Sequence, residues 1–405
     1  MATPKLRFKE FDGNWTLNKI GDIASKVGSG STPRGGAEAY TSEGIIFIRS
    51  QNVNNDRLLL NDVAYIPDET HNKMLGSKVI ANDILLNITG ASIGRSCVVP
   101  HDFIEANVNQ HVCIIRTPND DPVFVQSFLS SENGQNAIQA KQAGGGREGL
   151  NFQAIRSIDF HFPPSKPEQT KIASFLSAVD EKISQLTQKH ELLSQYKQGM
   201  MQKLFSQQFR FKADDGSEFG EWENTVLGDI ADIVGGGTPS TNNEEYWSGD
   251  VVWLTPSEIN QKFIGESKRT ISELGVQKSS AKKLPIGTIL FTSRATIGEV
   301  AIAIAEVTTN QGFQSFISNE KTFNEFLYYW IVNNKKSFIE RASGSTFLEI
   351  SKSKIQPMEI SLPCLEEQTK IANFLSAIDQ KIEVVAEQIE QAKTWKKGLL
   401  QQMFV

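Results

Sequence analysis

Four pairs of short polar loops hold most of the side chains in this chain that could do chemistry. The first pair is Gly28-Ser29-Gly30-Ser31-Thr32-Pro33 and Gly235-Gly236-Gly237-Thr238-Pro239. Both invite a phosphate-loop reading, yet neither ends in Gly-Lys-Ser/Thr and neither completes a dinucleotide fingerprint. Such a loop offers a flexible backbone whose N–H groups, with nearby hydroxyls, can approach a phosphate or a base edge. A structural turn accounts for the same residues about as well. The second pair is Arg49-Ser50-Gln51-Asn52-Val53-Asn54 and Thr255-Pro256-Ser257-Glu258-Ile259-Asn260. The third is Thr89-Gly90-Ala91-Ser92-Ile93-Gly94-Arg95 and Ser293-Arg294-Ala295-Thr296-Ile297-Gly298-Glu299. The fourth is Gly144-Gly145-Gly146-Arg147-Glu148-Gly149 and Ala342-Ser343-Gly344-Ser345-Thr346. Arg, Gln and Asn can make two hydrogen bonds to guanine or adenine edges in the major groove. Any one of them alone reads as a solvated loop residue. The stronger argument is that the loops align in frame yet differ in polar side chains, as two readers of two different short sequences would.

By loop position and side-chain chemistry, the candidate contacts of the first region are Thr32, Arg34, Arg49, Gln51, Asn52, Ser92 and Arg147. Those of the second are Thr238, Ser240, Asn242, Ser257, Arg294, Thr296 and Ser345. Arg49 aligns with Thr255, Gly90 with Arg294 and Arg95 with Glu299, so the two regions should meet different bases. Catalysis is not indicated: no H-E-x-x-H, no nucleophile elbow and no His–carboxylate set at metal spacing occurs. Glu366-Glu367 belong to a helix start, where the dipole favours acids. Cys97, Cys113 and Cys364 are scattered, and read as reduced thiols rather than as zinc ligands or a disulfide framework. No catalytic residue, metal site or cofactor of its own is expected.

The elements that must position these loops are written twice. Gly13, Trp15 and Gly21-Asp22-Ile23-Ala24 return as Gly220, Trp222 and Gly228-Asp229-Ile230-Ala231. Glu168-Gln169-Thr170-Lys171-Ile172-Ala173, Phe175-Leu176-Ser177-Ala178, Asp180 and Lys182-Ile183 return from Glu367 to Ile382. Repeats of this size are domains, not solenoid units. Strand candidates are 45–48, 83–86 and 112–115, with counterparts at 251–254, 288–291 and 313–316. Each globular region therefore reads as α+β, with a twisted, mainly antiparallel or mixed sheet.

Ser165-Lys166-Pro167-Glu168 is a capping-box pattern with proline in the first turn. Beyond it Leu176, Val179, Ile183, Leu186, His190, Leu193, Lys197, Met200 and Leu204 alternate three-four spacing, the seam of a coiled coil. The second copy keeps the register through Leu375, Ile378, Ile382, Val385, Ile389, Ala392, Lys396, Leu399 and Met403, although Cys364 replaces the capping serine. Each helix of roughly 40 residues is about 55–60 Å long. The pair should lie antiparallel, with His190, Lys197 and Lys396 tuning register. The expected layout is a first domain at 1–164, a helix at 165–206, a linker and second domain at 207–362, and a helix at 363–405.

At 405 residues the chain is too long for one ordinary core. No apolar run approaches the roughly 20 residues of a membrane span, and Met1 to Lys9 has no signal-peptide core, so a cytoplasmic, membrane-free protein is expected. The net charge of −6 sits awkwardly with nucleic-acid binding, which gains from releasing phosphate counterions. It weighs against a stand-alone repressor, and implies either a concave basic face or cationic surface on other subunits.

With these residues in view, the chain resembles the specificity subunit of a type I restriction-modification system over essentially its whole length. The doubled Glu-Gln-Thr-Lys-Ile-Ala-x-Phe-Leu-Ser-Ala-x-Asp-x-Lys-Ile start and the Lys-x-Gly-x-x-Gln-x-x-Phe ending (Lys197 to Phe205, Lys396 to Phe404) carry the resemblance. It implies two tandem α+β target-recognition domains separated by two long antiparallel coiled-coil helices, pseudo-twofold symmetric. Each domain would bind one half of a split double-stranded DNA target, and the helices would set the gap. Two modification (methyltransferase) subunits would dock along them, and restriction (translocase/endonuclease) subunits would join. S-adenosylmethionine, ATP and Mg would then sit on those partners only. The rival is a non-catalytic coiled-coil scaffold that binds protein partners rather than DNA. It predicts large aromatic anchors in the variable loops, which are instead small and polar.

Overall fold

The computed structural model describes residues 3–33, 35–142, 149–294, 296–344 and 348–405. Its contacts divide the chain into two units that are not contiguous in sequence. Unit 1 is Met1–Gln188 with Ala386–Val405, and unit 2 is Lys189–Val385. Each long helix, Lys166–Phe205 and Leu365–Met403, contributes its start to one unit and its end to the other.

Within unit 1, Thr16–Lys19 pairs antiparallel with Asp159–Phe162. An antiparallel sheet follows in the spatial order 26–29, 112–116, 84–87, 96–98. A second, mixed sheet runs 64–66, 45–48, 106–108, 78–79, with 45–48 and 106–108 parallel. The apolar runs are continuous because both faces of the central strands are covered. Ile84, Leu86, Cys113 and Ile115 face a cluster with Trp15 and Phe124, while Leu85, Val112 and Ile114 face one with Ile48 and Val108. Burial pushes the Cys113 thiol up to about 12, so it stays protonated.

Unit 2 repeats the plan. Glu223–Val226 pairs with Glu359–Leu362, a five-stranded sheet runs 231–235, 314–318, 289–291, 300–303, 263–264, and a three-stranded one runs 269–271, 247–254, 308–309. Ile289 and Phe291 face one cluster and Leu290 the other. The α+β expectation holds in both units.

The duplicated helix starts act as clamps. Glu168 is fully buried, and Arg7 grips its carboxylate with Nε at 2.7 Å and Nη2 at 2.8 Å while the Trp15 indole donates at 3.2 Å. Glu367, equally buried, takes Arg210 at 3.0 and 2.7 Å and Trp222 at 3.0 Å. A buried carboxylate needs such partners, and a two-pronged arginine is the strongest available. Glu168 is therefore spent on the domain, not on the capping box that its spacing from Ser165 predicts. The next residue fastens the helix again: Gln169 accepts from the Asp121 N–H at 2.9 Å and Gln368 from the Phe323 N–H at 2.7 Å. Arg210-Phe211-Lys212, expected to be linker, is the second copy of Arg7-Phe8-Lys9. Phe8 meets Phe175 edge-on at 5.7 Å and Phe211 meets Phe374 at 5.4 Å.

The helix ends are anchors, with Phe404 buried and Phe205 half-buried. Within unit 1, Phe404 lies 5.3 Å from Phe124 and 6.2 Å from Phe128. Within unit 2, Phe205 lies 5.5 Å from Phe326. Each buried side chain of this size stabilises by about 1.5–3 kcal/mol. The helices run antiparallel in both units. In unit 1 Gln402 accepts from the Leu6 N–H beside the Arg7–Glu168 pair, while Lys396 reaches Asp180 at 2.7 Å. In unit 2 Lys197 reaches Asp379 at 2.5 Å. The two seam lysines thus hold the two repeated aspartates.

Lys396 also binds Asp56 at 2.9 Å, whose carboxylate accepts from Ser130 and Gln126. Burial alone would push Asp56 up, but the Lys396 charge and these donors together hold it below the usual carboxylate range. Burial likewise lowers Lys396, and Asp56 and Asp180 more than offset it. A depressed carboxylate contributes stability above its unfolded value and loses it as pH falls through the folded one. A raised lysine contributes below its unfolded value and loses it as pH rises. The cluster should therefore act in full from about pH 5 to pH 9. Lys396→Met should destabilise the chain by about 1–3 kcal/mol across that window. Urea midpoints of both proteins should converge as pH falls below the usual carboxylate range; a pH-independent difference would assign the loss to packing alone.

Candidate nucleic-acid interface

In each unit the loop pairs gather at one end of the sheets. In unit 1 the Asn109 carbonyl accepts from Gly30, and the Asn109 N–H donates to Ile48, the residue before Arg49. Ile88 donates to the His111 carbonyl, and Thr89 Oγ1 lies 2.6 Å from His111 Nδ1. The fourth loop arrives through Gly149, bridged to Thr89. Unit 2 repeats the knot. Gly237 donates to Thr309, Asn310 to Leu254 (the residue before Thr255), Ser293 to Gly312, and Arg294 is bridged to Glu349. The glycines are required here. A Cβ on Gly30 would stand 1.7 Å from the Val108 carbonyl oxygen, and one on Gly236 2.2 Å from that of Asn310.

The predicted residues are placed unequally. Thr32 is exposed and donates to the Gln110 amide oxygen, and exposed Thr238 donates to that of Gln311. Gln51 is exposed and donates to Asp62 at 2.8 Å, and half-buried Arg49 lies 3.8 Å from the same carboxylate. Ser92 is half-buried in a 3-10 turn, 3.5 Å from the Thr89 carbonyl. Ser240, Asn242, Ser257 and Thr296 are exposed. Two indoles prop the loop around Thr238: Trp253 donates to the Gly237 carbonyl at 2.9 Å and Trp247 to that of Ser240 at 3.1 Å, with Arg269 stacked 3.9 Å from the Trp247 ring. Arg294 is exposed and held by Glu349 at 2.9 Å. Arg34, Arg147 and Ser345 lie outside the described residues.

Asn52 is a correction. It is 2% exposed, accepts from the Arg49 N–H at 2.9 Å and donates to the Leu59 and Asp62 carbonyls at 3.0 and 2.7 Å. Its amide is consumed in shaping the loop that presents Arg49 and Gln51, and no base can reach it. Residues missed from sequence are Gln110 and His111 with their counterpart Gln311. Their signal was the Asn-Gln dipeptide repeated just before the aligned strands, as Asn109-Gln110 and Asn310-Gln311. Among the described residues no group of three or more His, Cys, Asp or Glu could hold a metal ion, and no helix is long and apolar enough to cross a membrane.

With that geometry, comparison with known proteins is decisive. The sequence pattern of the type I restriction modification DNA specificity domain matches residues 12–195 and again 220–394. The chain belongs to this family. The type I restriction enzyme MjaIX specificity subunit of Methanocaldococcus jannaschii is 40% identical over 190 residues, 44% of this chain and 44% of that one. The match thus spans less than half of that relative. The HindI specificity subunit of Haemophilus influenzae is 24% identical over 425 residues, covering 87% of this chain and 90% of its own. A crystal structure of the type I restriction-modification S subunit from M. genitalium shares the fold with a TM-score of 0.61 at 17% identity, over 100% of this chain and 99% of that one. DNA target recognition is the role of specificity subunits, and the catalytic activities of these systems lie in other subunits.

The division between loop-shaping and loop-displayed side chains is testable. Asn52→Ala should lower stability by about 1–3 kcal/mol by orphaning a buried N–H and two carbonyls, whereas Gln51→Ala should cost under about 0.5 kcal/mol. Thermal unfolding of the two variants measures this, and the reverse order would return Asn52 to the exposed set.

Proposed function

We propose that each unit reads one half of a bipartite double-stranded DNA target through its loop cluster, and that the long helices fix the distance between the halves. The observation that supports this most is the repetition of one loop knot with different displayed side chains: Arg49 and Gln51 against Thr255 and Ser257, Gly90 against Arg294, Arg95 against Glu299. A common scaffold positions both readers, and the differences allow two unlike half-sites. Helices of 40 and 39 residues are about 60 Å long, longer than one duplex turn of about 34 Å.

On this reading the partners are two modification subunits docked along the helices, with restriction subunits joining the complex. S-adenosylmethionine, ATP and Mg belong to those subunits, this chain holds none, and the complex works in the cytoplasm. The chain's displayed residues then bind and orient DNA, and transfer no group.

Methylated adenines mapped in a genome expressing this chain with its modification subunit should define a split motif. Exchanging the first loop cluster for that of a relative should change one half of the motif and leave the other half and the gap intact. An unsplit motif, or one changed in both halves, would sink the proposal. At the residue level, Arg294→Ala should cost about 1–3 kcal/mol on the cognate second half-site in a binding titration at fixed salt. Equal loss on every duplex would reduce Arg294 to a phosphate contact.

A further inference from the structure

Most polar positions of the two loop clusters differ, but the Thr32–Gln110 and Thr238–Gln311 pairs do not. In each unit the glutamine stands exposed between two buried strands, and its amide oxygen accepts from the threonine hydroxyl. The loop beneath is fixed. Asn109 and Asn310 each accept from the backbone N–H two residues on, and backbone bonds tie both to neighbouring strand ends. Such a side chain is held before any ligand arrives, so binding costs less rotamer freedom.

The threonine hydroxyl occupies one lone pair of the amide oxygen and leaves the second, together with the NH₂ group, to a ligand. In unit 1 that NH₂ lies 3.0 Å from His111 Nε2. One acceptor beside one donor matches the adenine major-groove edge, which offers the N6 amino group and N7. Guanine offers two acceptors there and leaves the amide oxygen unpaired. A phosphate would use only the NH₂ and make the threonine clamp on the oxygen superfluous. A residue kept identical while its neighbours vary should meet a feature that both half-sites share. We propose that Gln110 and Gln311 each read one adenine, so that two otherwise different half-sites have that base in common under the glutamine loop. The inference rests on the DNA-reading function proposed above.

The test uses the full chain with its modification subunit, and a motif first selected from random duplexes. Placing 7-deazaadenine, which lacks N7, at each adenine in turn should reveal one position per half-site that weakens binding about tenfold or more. Gln311→Ala should weaken the natural duplex similarly, abolish the 7-deaza penalty at its own position and leave the first half-site's penalty unchanged. Gln311→Glu should shift the preferred base there from adenine to cytosine, whose N4 amino group a carboxylate accepts from. Equal weakening by Gln311→Ala on cognate and random duplexes, or 7-deaza penalties that survive in the variant, would overturn the inference while leaving a split wild-type motif standing. A wild-type complex that selects no split motif would sink the underlying reading instead.

Discussion

Each unit is completed by the end of a helix that starts in the other, and the rest of the architecture follows from that exchange. Phe404, Met403 and Leu399 fill the core beside Trp15 and Phe124, although more than 230 residues separate them in sequence. Leu204 and Met201 do the same beside Phe326 and Tyr329. Neither half of the sequence therefore encodes a complete core. The first 188 residues alone would leave Phe124 and Phe128 open to water, and Asp56 and Asp180 without Lys396. A chain in which each unit requires the other's helix couples their folding through two continuous backbones.

Apolar anchors and ion pairs divide this work. The anchors supply most of the free energy, because several large side chains leave water at each helix end. The ion pairs contribute less net energy, since removing two charges from water offsets much of their attraction. What they supply is register. Shifting either helix by one residue would rotate Lys396 about 100° away from Asp180, or Lys197 away from Asp379. Phe404 would move about 1.5 Å along the axis and leave its place against Phe124. The mispaired charges would then be half-buried without partners. Polar seam positions thus select one antiparallel alignment among those that the apolar stripe alone would tolerate.

Local patterns made much of this legible. The three-four alternation from Leu176 to Leu204 marks a helix seam because helical period is a local property, and the buried strand at 84–87 shows through its apolar run Ile84-Leu85-Leu86 for the same reason. What the sequence concealed depends on distant partners. Glu168 three residues after Ser165 looks like a cap, yet the Arg7 that claims it lies 161 residues away. Arg210-Phe211-Lys212 looks like charged linker until Glu367 and Phe374 are beside it. Asn52 looks like a base contact because an asparagine in a polar loop can serve a base edge or its own backbone, and only burial separates the two. Gln110 is marked in the sequence only by the return of Asn109-Gln110 as Asn310-Gln311, since one amide before a strand says nothing alone; its place in the loop cluster comes from Thr32, which the fold brings alongside.

The acidic net charge can be reconciled with DNA reading through the same loops. Arg49 and Gln51 lean on Asp62, and Arg294 leans on Glu349, so the displayed cations are already partly neutralised. Such pairs add little long-range attraction to phosphates, and under the proposed function affinity that arises from counterion release would come mainly from other surfaces of the complex. What an acid beside an arginine does supply is orientation, because the guanidinium fork is fixed at one edge and offers its remaining N–H groups in a set direction. A subunit built this way suits discrimination better than capture. Under the proposed function, partner subunits would hold the duplex, and these loops would decide whether its base edges fit.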